Sequence, residues 1–380
     1  SAFFACSSLG WVTITNSVTT GGYTSMSTNS GDVSIPGTLS SSGGVNISNN
    51  SGNVWINSIN GGTGGVTINA YGASSIVGAI SDNSAIEITT GGTTSVRANT
   101  IGSDMIGGSP ANNPLDIAAN AVSLTTVGGG SNIGFAGRPV VANTPNVTIN
   151  ASANFNVDTG PVDIANLTVT ASPSGVGNGG LAEVSSNGVT YPFLSDGTNF
   201  TLGGFNAPAE QFAGGGLSFT TPSGNLTLDG IDFSASNGNF SARSNGTAAT
   251  VTQTSTRAID LGTGIFSLYA NGAVTLEQVN AGGANISNAT SSGCLSGSSY
   301  CGVQSFTANQ TLTDTAWGGG TWSVTSRGDI NTGALEIGGV NFNAYSASIV
   351  TGAIGTAAMP ASNVTLTTSY PSGGNITTGA

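Results

Sequence analysis

Histidine is missing from this 380-residue chain, lysine is missing too, and only 6% of the residues are charged. Without either residue there is no imidazole base, no Ser-His-Asp arrangement and no amine nucleophile, so any catalysis is left to carboxylates. The five basic residues are all arginines (Arg97, Arg138, Arg243, Arg257 and Arg327), and they do not cluster. With a net charge of −12, the chain is expected to bind neither nucleic acid nor an anionic membrane surface. A run of about 20 apolar residues is also absent, so no membrane insertion is expected. Three cysteines without a histidine argue against a metal site, and no cofactor is expected. Nor does any stretch of twelve residues carry a helical apolar period, which leaves an all-β chain.

What is present is a short phrase repeated many times. An apolar–polar–apolar triplet is followed by Gly, Asn, Ser or Thr. Val45-Asn46-Ile47, Val66-Thr67-Ile68 and Ile86-Glu87-Ile88 follow one another at near-equal spacing. Similar triplets continue through Val147-Thr148-Ile149, Leu226-Thr227-Leu228 and Val364-Thr365-Leu366. β-branched and aromatic residues fill the apolar slots, as a pleated surface prefers, and the 60 glycines supply turns with positive φ. A longer match has Val66–Ile80 (VTINAYGASSIVGAI) and Val340–Ile354 (VNFNAYSASIVTGAI) identical at nine of fifteen positions. Self-similarity at this period predicts a β-solenoid, each coil stacked on its neighbours, with about 20 residues per coil and roughly 17 to 19 coils. Residues 1–11 (SAFFACSSLGW) are expected to be an apolar N-terminal segment or cap, and they lack the basic and apolar regions of a signal peptide. Residues 12–380 are expected to form one continuous solenoid, with loop insertions near 102–114, 188–216 and 289–302, where the phrase weakens. The chain is expected to be a segment of something longer.

The phrases GGVNISNNSGNVWIN, GNLTLDGIDF, RGDINTGALEI and GGNITTGA resemble the repeats of filamentous haemagglutinin-type exoproteins, bacterial surface proteins exported by two-partner secretion. The resemblance runs over about residues 12–380. It implies a right-handed parallel β-helix, a secreted or cell-surface location, an outer-membrane export partner and a role in adhesion or as a display stalk. The secretion domain of that family is not recognisable in these residues, so the export route is an expectation about the parent protein.

The candidate chemistry is sparse, and no enzyme is expected. Asp229 with Asp232, and Asp158 with Asp163, are the nearest carboxylate pairs, and Asp229 and Asp232 converge only if Gly230 bends the strand. These pairs are also the only candidates for an adventitious calcium site. Cys294 and Cys301 bracket a Gly/Ser-rich stretch and are expected to form a local disulfide in an oxidising compartment, leaving Cys6 over. Arg327-Gly328-Asp329 is a candidate adhesion tripeptide. Trp317 and Trp322, separated by glycines, are a candidate platform for stacking a glycan. Asn-x-Ser/Thr triplets such as those at Asn46, Asn146 and Asn225 are expected to be turn-to-strand junctions whose Asn side chains bond from coil to coil. The expected partner is a host or neighbouring-cell surface receptor or a glycan. The alternatives are a self-assembling filament that stacks end to end, and a polysaccharide-binding or -cleaving β-helix.

Overall fold

A computed structural model describes residues 2–72, 76–80, 86–102, 105–106, 109–110, 114–206, 212–254, 257–294, 301–314, 320–357, 360–369 and 374–379. It divides into two units, Ser1–Thr190 and Tyr191–Ala380. Each is a parallel β-solenoid, and together they hold about 14 turns of roughly 24 residues.

In unit 1, one long ladder stacks eight strands, beginning Phe3–Ser7, Thr24–Thr28, Val45–Asn49 and Val66–Ala70. The pairing is parallel and in register, so residues of one kind sit above one another. Met26, Ile47, Ile68, Val96, Leu124, Ile149 and Val169 form one inward column, and each is fully buried. Burying a side chain of this size contributes about 1.5–3 kcal/mol. A second set of strands closes each coil. There Val33–Ser41 lies on Val54–Asn60, with a register shift between Ile35 and Thr38 at the Pro36-Gly37 bend.

In unit 2 the long ladder has seven strands, from Phe212–Thr221 to Asn363–Ser369, and its core is more aromatic. Phe240 stacks on Phe266 at 5.9 Å between ring centroids, and Phe193 and Phe200 pack against Phe219 at 5.5 and 5.1 Å. Such pairs add about 0.5–1.5 kcal/mol beyond their buried area. The closing side is split into two short ladders. Leu226–Asp232 pairs at one end with Val251–Gln253 and at the other with Ile259–Asp260. Gly230, at φ +68°, turns the strand between them.

Coil length departs from the uniform period expected. Val45, Val66 and Thr94 share one column, and the second step is longer than the first. In unit 2, Phe266, Ala284, Trp322 and Val340 share one, with a middle step more than twice the length of its neighbours. Hydrogen bonding fixes where a strand must return but not how long the intervening turn is, so insertions bulge out without breaking the ladder. The expected third repeat, Ile86-Glu87-Ile88, is therefore not a rung of the long ladder. Ile88–Thr89 pairs with the closing strand Val54–Asn60, and the next long rung is Thr93–Ala98.

The feature that marks long rungs at these places is a glycine pair before the strand: Gly43-Gly44, Gly64-Gly65 and Gly91-Gly92. Gly44 has φ +103°, and a Cβ there would stand 2.9 Å from the Gly64 carbonyl oxygen of the next coil. That closeness excludes any other residue. Phe3–Ser7 pairs with Thr24–Thr28, so the ladder begins ahead of residue 12.

Inward polar residues at strand ends secure the corners. Asn49 donates to the Gly31 and Asn53 carbonyls at 3.2 and 3.1 Å, and Ser244 to Gly224 at 2.6 Å. On the surface, Asn50 donates to the Asn29 amide oxygen at 2.9 Å and Asn166 to that of Asn146 at 2.8 Å, each across one coil. Truncating a member of the inward column, Ile68→Ala, is expected to cost about 2–5 kcal/mol in urea unfolding. Thr67→Ala, on the outward side of the same strand, is expected to stay within about 0.5 kcal/mol.

Candidate functional site

The most elaborated region of unit 2 is the segment 289–302. Its foundation is Asn271, fully buried at the corner after the strand Ile265–Tyr269. The Asn271 amide donates to the Gly246 carbonyl at 2.9 Å and to Thr290 Oγ1 at 2.8 Å. Its oxygen accepts from the Ala289 and Thr290 backbone N–H groups at 3.2 and 3.0 Å. Both donors and the acceptor are thus used, as a buried amide requires. Thr290 then caps the short 3₁₀ turn Ser291–Gly293 by accepting from the Ser292 N–H. Cys294 follows and is disulfide-bonded to Cys301. Cys6 is free and exposed.

Two arginines brace this segment at its two ends. Arg243 lies 4.4 Å over the Tyr269 ring and donates to the Ala289 carbonyl at 2.6 Å. Arg327 donates through Nε to the Gly302 carbonyl at 3.2 Å and through Nη2 to the Asn271 carbonyl at 2.7 Å. Arg327 is the first residue of the candidate adhesion tripeptide. Its last residue, Asp329, accepts from the Ser348 N–H at 2.9 Å, and the Gly328 N–H donates to Ser326 Oγ at 3.2 Å. Both charged side chains are therefore spent on coil-to-coil bonds, and the tripeptide sits at the entry to the strand Ile330–Thr332 rather than on a protruding loop. The glycan platform fares no better. Trp322 is 0% exposed, because strand alternation turns it inward between Ala284 and Val340. Trp317 lies outside the described residues.

The carboxylates follow the same pattern. Asp229 accepts from Thr254 Oγ1 at 2.6 Å, while Asp232 accepts from the N–H and hydroxyl of Ser234 at 3.0 and 2.6 Å. Gly230 bends the strand between the two, yet each carboxylate has its own partner. Asp158 accepts from the Gly160 N–H at 2.8 Å, and Asp163 from the Asn187 amide. Elsewhere Asp32, Asp260 and Glu277 accept from Asn53, Asn280 and Asn309, each one coil on, at 2.8, 2.9 and 2.6 Å. Among the described residues no group of three or more potential metal ligands converges.

Of the other expected insertions, 102–114 contains the antiparallel strands Met105–Ile106 and Ser109–Pro110. Within 188–216, Phe193–Ser195 pairs antiparallel with Phe200–Leu202. At the tip of that hairpin Asp196 accepts from the Asn199 amide at 3.0 Å and from the Asn199 and Thr198 N–H groups at 2.7 Å. These bonds hold its carboxyl below the usual carboxylate range.

Two shallow grooves cross several coils. One, of about 250 Å³, is lined by Thr19, Thr20, Ser40, Ser41 and Asn60. The other, of about 460 Å³, is lined by Gln278, Gln310, Thr311, Thr313 and Glu336. Nothing in the sequence marks Arg243 or Asn271 as a site residue. An isolated arginine is a faint signal, and it does not reveal a carbonyl as distant in sequence as that of Ala289.

Arg327→Ala is expected to lower unfolding stability by about 1–3 kcal/mol, the cost of leaving buried carbonyls without donors, and to leave cell attachment unchanged. Because the Asp196 carboxylate is depressed in the folded state, its support of the hairpin is present above the unfolded carboxylate range. That support is lost only as pH falls through the lower folded value. NMR shifts of Thr198 and Asn199 are expected to move in that acid window in the parent chain and to be pH-independent there in Asp196→Asn.

Comparison with protein-family models, with curated proteins and with solved structures returns no match for this chain.

Proposed function

We propose that this chain is a non-enzymatic, structural and adhesive segment of a secreted bacterial surface exoprotein, a stiff repeat that carries attachment loops. The observation that carries the reading is the use made of its polar side chains. Several carboxylates, amides and arginines that would serve as catalytic or receptor groups bond instead from one coil to the next, as Asp32, Glu277, Arg327 and Asp329 do. A chain organised this way resists deformation along its ladders, which is what a spacer needs. Similarity of its repeats to filamentous haemagglutinin-type exoproteins supports the same role, a right-handed coil, and export of the parent protein through an outer-membrane partner. Right-handedness also agrees with the crossover rule for parallel strands.

A second reading is a subunit that stacks end to end, because the strand edge of a solenoid rung pairs readily with another.

Deleting residues 45–65 joins Gly44 to Val66 and removes one coil in register. The variant is expected to unfold as cooperatively as the parent, with the same β-sheet circular dichroism per residue; a molten variant would overturn the repeat-spacer reading. Incubation of the purified chain with a polysaccharide panel is expected to release no reducing ends, and reducing-end release would establish an enzyme instead. Negative-stain microscopy is expected to show separate particles. Fibres of indefinite length would favour the stacking subunit.

A further inference from the structure

The outward face of the long ladder differs from the rest of the surface in its chemistry. In unit 1 the outward row begins with Phe4, continues through Ser25, Asn46, Thr67 and Ser95 and runs on to Thr168. In unit 2 the equivalent row runs from Ser218 through Ser267 and Asn285 to Thr365. Apart from Phe4, every member of both rows is Ser, Thr or Asn, and none is buried. The acidic residues lie elsewhere. Among the described residues no acidic side chain falls in any of the fifteen strands of the long ladders. They lie instead on closing strands and turns, as Asp116, Glu183, Asp260 and Glu336 do. The only charges in the long strands are Arg97 and Arg243, and each lies over a tyrosine, Tyr71 at 5.4 Å and Tyr269 at 4.4 Å.

We propose that this uncharged, Ser/Thr/Asn-rich row on the outward face of the long ladder binds a neutral, extended polysaccharide laid across the coils. This deepens the adhesive part of the proposed function and rests on it. Hydroxyls and side-chain amides both donate and accept hydrogen bonds, as sugar hydroxyls do, so the two surfaces can pair without regard to direction. Rungs repeat about every 4.7–4.9 Å, close to the advance of one sugar in an extended β-linked glucan, so successive sugars meet equivalent side chains. The backbone ladder fixes those side chains in advance, which limits the ordering cost of binding. Individual contacts are weak, and affinity accumulates with the number of rungs engaged. The absence of a cationic patch excludes an anionic glycan as the favoured ligand, and the carboxylates on the other faces keep those faces from competing for it.

The test uses the intact chain, insoluble cellulose and soluble β-1,4-gluco-oligosaccharides of increasing length. Retention on cellulose is expected to be unchanged between low and high salt, and affinity is expected to rise steadily with oligosaccharide length. Thr67→Glu combined with Ser123→Glu places two carboxylates on the face and is expected to weaken binding at least tenfold. Ser34→Glu, on a closing strand, is expected to leave it unaltered. Circular dichroism confirms that each variant is folded; if the double variant is not, Thr67→Val with Ser123→Ala, which removes both hydroxyls without adding charge, replaces it, with the same expected loss. No retention, retention that disappears at high salt, or equal binding by the face variants and Ser34→Glu would each overturn the proposal. The spacer reading would survive those results, since it is decided by the coil deletion.

Discussion

In a parallel solenoid each residue rests on its counterpart one coil away, and this vertical registration governs everything else in the molecule. Backbone hydrogen bonds run from rung to rung without a break inside each unit, so the side chains are sorted into columns. A column such as Ile47, Ile68 and Val96 must hold apolar residues of similar size at every level, because a single polar member would be buried between two apolar ones. The columns at the corners obey the opposite rule. There Asn49, Ser244 and Asn271 are inside but polar, because the chain turns and leaves carbonyl groups that need a donor.

Registration also explains where the few charged groups went. An outward carboxylate on a closing strand or turn has the next coil's N–H or amide within reach, so Asp32, Asp260 and Asp329 bond upwards. Arg327 does the same across two levels, touching Gly302 and Asn271. In a chain with so little charge, placing it between coils strengthens the stack without creating a concentrated site. One outward row of the long ladder is left largely to Ser, Thr and Asn, with Arg97 and Arg243 beside it resting on tyrosines.

The insertions show how variation is tolerated. The step from Ala284 to Trp322 is more than twice as long as the step on either side of it, yet the column is continuous. The extra length leaves at a corner and is rooted by Asn271, Arg243, Arg327 and the Cys294–Cys301 bond. The described residues at both ends of this extra length are thus fixed to the coil.

The sequence by itself determined that the chain is all-β, that it is a repeat, and that its chemistry contains no histidine or lysine. Alternation and glycine-rich turns are local properties and could be seen directly; the match of Val66–Ile80 with Val340–Ile354 proved to join equivalent positions, since Val66 and Val340 occupy corresponding inward columns of their ladders. The expected coil of about 20 residues is shorter than the roughly 24 observed, because triplets on the long and closing strands look alike and Ile86-Glu87-Ile88 belongs to the closing side. The direction of Trp322 was within reach too, given alternation, but its glycine neighbours suggested exposure. Only tertiary structure decided the fate of Arg327 and Asp329 and the Ser/Thr/Asn-rich row of the long outward face. Those depend on which residues stand above one another, and stacking joins positions far apart in the chain, as Arg327 and Asn271 are, that no local pattern relates.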